Sequence, residues 1–377
     1  MFADRFKNRL TVQQLNGLFR SPINIDARDG KYIISDKRRI INFSSNDYLG
    51  LGTSIELRKK AADNFLKYGT TSGSSRLVSG NYSLISAAEK EYARYFGYDD
   101  AVFFPSGYQA NLGLISTLFE KKDVIIFDKH VHASSVKGIS LSGADFFGYH
   151  HNRMSHLEKR LQNTENRNTA VITESLFSMD GDFLDVAGLK ALKNKYDFFT
   201  VIDEAHAFGV LGDRGRGMGH GVADVAIGTF GKAFGLFGAF VLLPEPVKAY
   251  LFNFSSPLIY STTLPEAHAA TALDALELME KSDDKRNHVR QISIYLKKEL
   301  ARAGFEVAGD AQILSVLIGD AAKSSEISAN LMDKGFYVFP ARYSTVPIGR
   351  AILRISLTAL HTEEDVTAVV QALKEEF

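Results

Sequence analysis

The middle third of the chain alternates short apolar runs with stretches of helical spacing. The apolar runs are uninterrupted and rich in β-branched or aromatic residues, which is typical of strands buried on both faces of a parallel sheet. The stretches between them have the spacing of crossover helices, so the alternation predicts an α/β fold. The predicted strands are 101–104, 124–127, 170–173, 198–202 and 225–227, and the predicted helices are 108–118, 154–162 and 186–195.

The two ends of the chain have a different pattern of hydrophobic and polar positions. Residues 3–20 have loose helical spacing, and Asp29-Gly30 is a turn dipeptide that predicts a hairpin over 26–38. Residues 55–68 again have helical spacing. From about Leu264 strands and helices mix in an order that predicts a smaller α+β domain. The helices predicted there are 265–281, 284–303, 324–334 and 362–376, and the strands are 305–307, 313–318, 337–339 and 353–357.

We therefore predict a helix-and-hairpin segment over 1–44, a large domain over 45–270 and a small C-terminal domain over 271–377.

Composition narrows the class of protein. The 44 Lys and Arg balance the 44 Asp and Glu, which argues against a nucleic-acid or membrane-surface protein. The absence of Cys excludes disulfides, cysteine nucleophiles and thiolate metal sites. The longest apolar run, 233–243, is shorter than the about 20 residues that span a bilayer, so we expect a cytoplasmic protein. From the length of 377 residues we expect that protein to be an enzyme.

Polar residues follow several predicted strands, at the edge where α/β sheets bind ligands. Asp203 ends one strand and lies three residues before His206. A carboxylate in that place could keep a ring nitrogen protonated. The alternative is an Asp that caps a helix, beside a solvated His.

Lys232 stands alone in an apolar, glycine-spaced stretch over 226–238. Burying an ammonium group is costly, and a desolvated Lys has a lowered pKa and can form a Schiff base. The alternative is a Lys that reaches out of a surface loop. The stretch is not a phosphate loop of the Gly-Lys-Ser/Thr type, because Ala233 follows the Lys.

Two further segments have both a functional and an ordinary interpretation. Residues 105–111 follow a strand and open a helix, whose free N–H groups could bind phosphate or simply form a turn. His130 and His132 form a His-x-His pair, which with Asp203 and His206 could ligate a metal in a hydrolase.

Arg342 and Arg354 are candidates to clamp a substrate carboxylate, with plain surface charge as the alternative for each. Taken together, a phosphate-binding turn, an acid for a ring nitrogen, a His that stacks and a Lys that forms a Schiff base are what pyridoxal phosphate requires.

At this point the sequence resembles the α-oxoamine synthase family of fold-type-I pyridoxal-phosphate enzymes. The likeness runs in order along nearly the whole chain. The matching segments are 42–50, 73–80, 105–111, 132–134, 174–181, 203–206, 229–232, 345–347 and 354–359.

The resemblance implies a mostly parallel seven-stranded central sheet, a homodimer with its site between subunits, pyridoxal 5'-phosphate as cofactor and no metal. Lys232 would carry the cofactor and take the Cα proton, Asp203 would pair with the pyridine nitrogen, and His132 would stack on the ring. His206 and Ser178 would contact the ring hydroxyl region. The residues implied for the phosphate are Gly107, Tyr108 and Thr229, and those for the substrates are Arg20, Asn46, Arg342, Thr345 and Arg354.

The implied reaction is a decarboxylative condensation of an amino acid with an acyl thioester on coenzyme A or a carrier protein. Thr229-Phe-Gly-Lys232 is closest to the member that joins L-alanine to a pimeloyl group, giving 8-amino-7-oxononanoate for biotin synthesis. The alternative is a sibling that uses glycine, serine or a longer acyl chain, of the 2-amino-3-ketobutyrate ligase, serine palmitoyltransferase or autoinducer synthase type. A catalytically silent subunit is disfavoured, because such a subunit has no need for Lys232.

Overall fold

The computed structural model describes residues 1–164 and 167–377. By the density of contacts, this described chain divides into two compact units. The large unit comprises residues 51–177 and 183–286. The small unit comprises residues 1–50, 178–182 and 287–377.

The strands have the following bounds in the described residues: β1 (Ala27–Asp29), β2 (Tyr32–Ser35), β3 (Arg38–Asn42), β4 (Asp100–Phe104), β5 (Val124–Asp128), β6 (Asp145–Tyr149), β7 (Thr169–Glu174), β8 (Phe199–Asp203), β9 (Val225–Thr229), β10 (Ala239–Leu243), β11 (Val307–Ala308), β12 (Ile313–Gly319), β13 (Phe336–Tyr337), β14 (Phe339–Ala341) and β15 (Ala351–Ser356).

The α-helices of the same residues are α1 (Phe2–Leu15), α2 (Ile55–Tyr68), α3 (Ser83–Phe96), α4 (Gly107–Leu118), α5 (Ala133–Ser142), α6 (Met154–Leu161), α7 (Val186–Lys195), α8 (Glu245–Phe254), α9 (Ser256–Tyr260), α10 (Glu266–Glu280), α11 (Asp283–Arg302), α12 (Ala321–Asp333) and α13 (Glu363–Lys374). Single tight turns lie at Leu51–Thr53, Gln162–Thr164 and Asp213–Gly215, and a wider turn at Arg76–Gly80.

The described part of the large unit holds a seven-stranded sheet in the order β4-β10-β9-β8-β7-β5-β6. β10 is antiparallel to both of its neighbours, and the pairs from β9 through to β6 are parallel. The predicted α/β class with a mostly parallel central sheet is therefore confirmed. β7 and β10 are buried at every position, as expected of strands covered on both faces.

Two strands of this sheet are absent from the prediction. β10 lies within the apolar run 233–243, where helix and strand cannot be told apart by periodicity alone. β6 is an edge strand that is exposed at Asp145, Phe146 and Phe147, so it has no buried run to detect.

The small unit builds on two other sheets, β1-β2-β3-β13 and β11-β12-β15-β14. Its core packs side chains such as Phe43, Leu296, Leu353 and Val366 together. The predicted hairpin is confirmed, with Ala27 opposite Ile34. The predicted helix 3–20 is too long, because α1 ends at Leu15 and Gly17 takes a positive φ of 65°.

Within residues 1–164 and 167–377, we find no helix with both the length and the apolar character needed to span a membrane.

Candidate active site

The carboxyl ends of the parallel strands of the large unit bring several predicted residues to one edge of the sheet. β8 ends at Asp203 and β9 at Thr229, while β4 leads into Gly107 at the start of α4. β5 leads to His132, the residue that caps α5. The topology of the sheet, more than any local motif, explains why residues so far apart in sequence share one edge.

Lys232 lies in a tight reversal between β9 and β10. Gly235 takes a φ of 68°, and a Cβ there would meet the Gly52 nitrogen at 2.2 Å, so only glycine fits this turn. Lys232 is half-buried, and its Nζ lies 2.7 Å from Nε2 of the buried His206. The ammonium-bearing side chain therefore points to His206, and the alternative of a Lys that reaches out of a surface loop is wrong.

The Asp203 carboxylate is buried and held on both oxygens. Its Oδ1 accepts a hydrogen bond from the Ala205 N–H at 2.9 Å, and its Oδ2 accepts one from the Asn111 side-chain amide at 2.9 Å. A carboxylate fixed in this way can offer its remaining lone pairs to a protonated ring nitrogen.

Glu204, the next residue, is not among the predicted site residues. Its carboxyl group is fully buried and accepts hydrogen bonds from Ser175 Oγ at 2.5 Å, from the Met218 N–H at 3.0 Å and from the Gly219 N–H. Burial raises the pKa of Glu204 to about 7, against these hydrogen bonds, which lower it. The signal that could have found it is a second acid directly after Asp203 at the end of a buried strand.

His132 is fixed at the start of α5. Its backbone N–H donates to Glu174 Oε1 at 2.5 Å, and its Nδ1 lies 2.7 Å from Ser134 Oγ. Desolvation of the ring lowers the pKa of His132, and Lys232 lowers it further, while Asp203 raises it. The imidazole is thus uncharged at neutral pH, as suits a ring that stacks on another ring.

α4 begins beside Thr229, and the N–H groups in the first turn of a helix have no partner within the helix. Ser106 Oγ accepts a hydrogen bond from the Gln109 N–H. A Cβ added to Gly107 would lie 4.0 Å from Thr229 Oγ1, so the helix start lies close to that hydroxyl. Thr229 Oγ1 in turn accepts the Gly231 N–H at 3.1 Å. An arrangement of this kind suits an anion, and Tyr108, at the same helix start, is 48% exposed. The large unit thus contains the amine, the acid, the uncharged ring and the anion cradle that fit pyridoxal phosphate.

Arg354 is the centre of a second group of predicted residues, in the small unit. It is buried within β15; its Nε donates to the Ser178 carbonyl at 2.6 Å, one terminal nitrogen to Ser356 Oγ, and the other to Asn46 Oδ1 at 3.2 Å. These contacts use three of its five N–H donors. Burial raises the pKa of the neighbouring Tyr48 to about 12, so that phenol stays protonated. Arg354 is therefore not a surface charge.

Arg20 and Arg342 lie together elsewhere in the small unit. Arg20 donates to Thr345 Oγ1 at 3.3 Å, and Arg342 donates to the carbonyls of Gly17 at 2.7 Å and Phe19 at 3.2 Å. Burial, and then the charge of Arg20, lower the pKa of Arg342. Arg342 thus ties down the segment that carries Arg20. Beside them is a cavity of about 260 Å³, lined by Leu10, Gln13, Leu18, Phe19, Arg20, Tyr343 and Ser344.

Comparison with known proteins gives consistent matches. The family described as aminotransferase class I and II matches residues 38–373. The 8-amino-7-oxononanoate synthase of Geobacter sulfurreducens is 38% identical over 375 residues, covering 96% of this chain and 95% of that protein. The protein of the same name from Haemophilus ducreyi is 37% identical over 385 residues, covering 98% of this chain and 99% of that one.

Solved structures match over similar lengths. A serine palmitoyltransferase variant from S. paucimobilis, with a bound PLP–myriocin aldimine, superposes with a TM-score of 0.93 at 26% identity, covering 99% of this chain and 96% of that one. The 8-amino-7-oxononanoate synthase of Francisella tularensis has a TM-score of 0.78 at 32% identity, covering 89% of this chain and 97% of that one.

Proposed function

The chain belongs to the aminotransferase class I and II family, as a pyridoxal-phosphate-dependent α-oxoamine synthase that transfers acyl groups, and we propose that it joins L-alanine to a pimeloyl thioester. The products are 8-amino-7-oxononanoate, carbon dioxide and the free thiol of the carrier, in the cytoplasmic synthesis of biotin. The observation that carries this proposal is the half-buried amine of Lys232, held 2.7 Å from His206 at the sheet edge where Asp203 lies.

The choice of alanine and a pimeloyl group is supported by the relatives. Proteins named for the 8-amino-7-oxononanoate reaction are 37–38% identical to the chain, against 26% for the serine palmitoyltransferase from S. paucimobilis. The serine-using reaction is the alternative, and its support is the likeness of fold.

When bound, pyridoxal phosphate supplies an electron sink that stabilises negative charge at the substrate Cα. Lys232 removes the Cα proton and returns one at the end of the reaction. Asp203 would hold a proton on the ring nitrogen of the cofactor. His206 and Ser178 would contact the ring hydroxyl region, and His132 would cover one face of the ring and exclude water from it.

The N-terminus of α4 would bind the phosphate, through the N–H groups of Gly107 and Tyr108 with the Thr229 hydroxyl. A carbon–carbon bond forms between the alanine Cα and the acyl carbon, the carbon–sulfur bond breaks, and the thiol leaves with a proton. The alanine carboxylate then leaves as carbon dioxide, and a proton takes its place at Cα.

We assign the substrate carboxylates to different arginines. Arg354 binds the amino-acid carboxylate with the N–H donors that its protein contacts leave, and Asn46 orients that substrate. Arg20 binds the far carboxylate of the acyl chain, and Thr345 holds the guanidinium in place. Within residues 1–164 and 167–377, no carboxylate forms an ion pair with Arg20, and the cavity beside it has apolar walls from Leu10 and Leu18.

We also propose a homodimer. Large apolar side chains remain exposed on the large unit, among them Val78 at 79%, Phe237 at 67% and Tyr260 at 81%. Light scattering of the purified protein at micromolar concentration measures this directly, and a monomer mass would contradict it.

The function is tested by titrating the protein, loaded with pyridoxal phosphate, with L-alanine, glycine and L-serine in parallel while recording its visible spectrum. Pimeloyl and palmitoyl thioesters are then supplied and thiol release is measured. We expect alanine to shift the spectrum at the lowest concentration and the pimeloyl thioester to release thiol fastest. A preference for serine with the palmitoyl thioester would establish the alternative, and a protein that never binds the cofactor would contradict both.

A further inference from the structure

Asn111 has no part in the function proposed so far, although it ends the segment 105–111 that the sequence singles out. It lies in the second turn of α4, where its side chain is 3% exposed. Its amide nitrogen is 2.9 Å from Asp203 Oδ2, and its amide oxygen is 3.2 Å from the hydroxyl of Ser135. Ser135, in the first turn of α5, is 1% exposed. The amide thus bridges two helices and the end of β8, away from water.

Chemistry fixes the direction of these two hydrogen bonds. The ionised Asp203 carboxylate only accepts, so the NH₂ of Asn111 must face it. The amide oxygen of Asn111 then faces Ser135 and carries no proton, so the Ser135 hydroxyl must donate. The chain of donors therefore runs one way, from Ser135 to Asn111 to Asp203.

The consequence falls on the carboxylate. The Ala205 N–H holds one Asp203 oxygen and the Asn111 amide holds the other, so rotation of the carboxylate plane breaks one hydrogen bond or the other. An amide that Ser135 prevents from flipping would keep presenting its NH₂ side, whereas a flipped amide would set oxygen against oxygen.

We propose that Asn111 is a positioning residue, oriented by Ser135, that fixes the plane of the Asp203 carboxylate for the ring nitrogen of the cofactor. The proposal rests on the proposed function, because it takes Asp203 as the partner of that nitrogen. Neither Asn111 nor Ser135 touches the reacting atoms; both act through Asp203.

The decisive variant is Asn111→Asp, which keeps the size and shape of the side chain. At low pH the new carboxyl group is protonated, so it can donate to Asp203 as the amide does and still accept from Ser135. As the pH rises, two buried carboxylates face each other, and one of them must hold a proton or both repel. Asn111→Leu removes the donor at every pH, Ser135→Ala removes only the orienting group, and Ser116→Ala changes α4 without touching Asp203.

Two readouts separate this role from a merely structural one. The first is the visible absorption of the loaded protein as a function of pH, together with the rate at which the alanine α-proton exchanges in heavy water. The second is the thermal midpoint of the cofactor-free protein against pH, which needs no bound cofactor.

We expect Asn111→Leu to slow exchange about tenfold at all pH values. Asn111→Asp should match the original protein at low pH and fall to the Leu level as the pH rises, with its cofactor-free thermal midpoint falling over the same range. Ser135→Ala should show a smaller loss, and Ser116→Ala none. The proposal would be overturned if the spectrum and exchange rate of Asn111→Asp matched those of the original protein at every pH, or matched those of Asn111→Leu at every pH. It would also be overturned if the exchange rate of Asn111→Leu were within twofold of the original rate. Failure of the original protein to bind cofactor would overturn the proposed function instead, and the pH dependence of the cofactor-free midpoint would still report on the contact.

Discussion

The groups around Lys232 and around Arg354 are built by different means. In the large unit, each functional side chain follows the carboxyl end of a parallel strand, so the topology of the sheet collects them. In the small unit, Arg354 lies inside β15, and hydrogen bonds to Ser178 and Asn46, far away in sequence, aim its guanidinium. The first group depends on backbone architecture, and the second depends on a network of side chains and one carbonyl. We therefore expect substitutions in the first group to lower the turnover rate, and substitutions in the second group to weaken substrate binding.

Replacement of Lys232 should have the largest effect. Lys232→Ala removes the only amine that the proposal places at the reacting carbon, and general acid–base groups contribute up to about 10⁴-fold. We expect turnover of alanine and the pimeloyl thioester to fall by about that factor, while the thermal midpoint changes little. Thiol release and calorimetry measure the two quantities.

Lys137→Ala is the matched control, because Lys137 is exposed on α5 and lies outside the site. It should keep the original rate and thermal midpoint. A Lys232→Ala variant with the original turnover rate would contradict the proposal that Lys232 removes the Cα proton, whatever the visible spectrum of the variant.

The second prediction concerns the buried Glu204 carboxyl group of the large unit and its effect on how stability depends on pH. Its pKa is raised to about 7 in the folded protein, from 4.5. The folded state therefore binds a proton that the unfolded state releases, and stability is lost as the pH rises from about 4.5 to about 7. The loss is roughly 3 kcal/mol in the free energy of unfolding. Glu204→Gln imitates the protonated form, so it should remove this part of the pH dependence.

Urea denaturation at several pH values measures the effect as the difference between the two proteins. Glu306→Gln, at an exposed position, should leave the pH profile unchanged. If the curves of the original protein and Glu204→Gln run parallel from pH 4.5 to 7, Glu204 does not hold the extra proton.

The sequence predicts the large-unit group better than the small-unit group, for a physical reason. Buried strands have continuous apolar runs, and the polar residues after such a run mark the ligand-binding edge of the sheet. Asp203, His206 and Lys232 can therefore be predicted from the sequence alone. Asn111 and Glu204 are less visible, because their partners come from other elements and no local spacing encodes such a contact. The expectation that Arg342 and Arg354 are both candidates to clamp a substrate carboxylate has the same weakness, since only the fold shows that Arg342 donates to the carbonyls of Gly17 and Phe19.

The two arginines give the smallest effects and the sharpest contrast. Arg354→Gln loses a charge-assisted interaction worth about 2 kcal/mol, so the KM for alanine should rise about 30-fold. Arg342→Gln frees the segment that carries Arg20, so the KM for the pimeloyl thioester should rise about fivefold, a loss near 1 kcal/mol, while the KM for alanine stays unchanged. Steady-state kinetics with each substrate varied in turn separates the two effects. An Arg342→Gln variant that weakens alanine as much as Arg354→Gln does would mean that both arginines serve the amino-acid carboxylate, and the division of labour inside the small unit would be wrong.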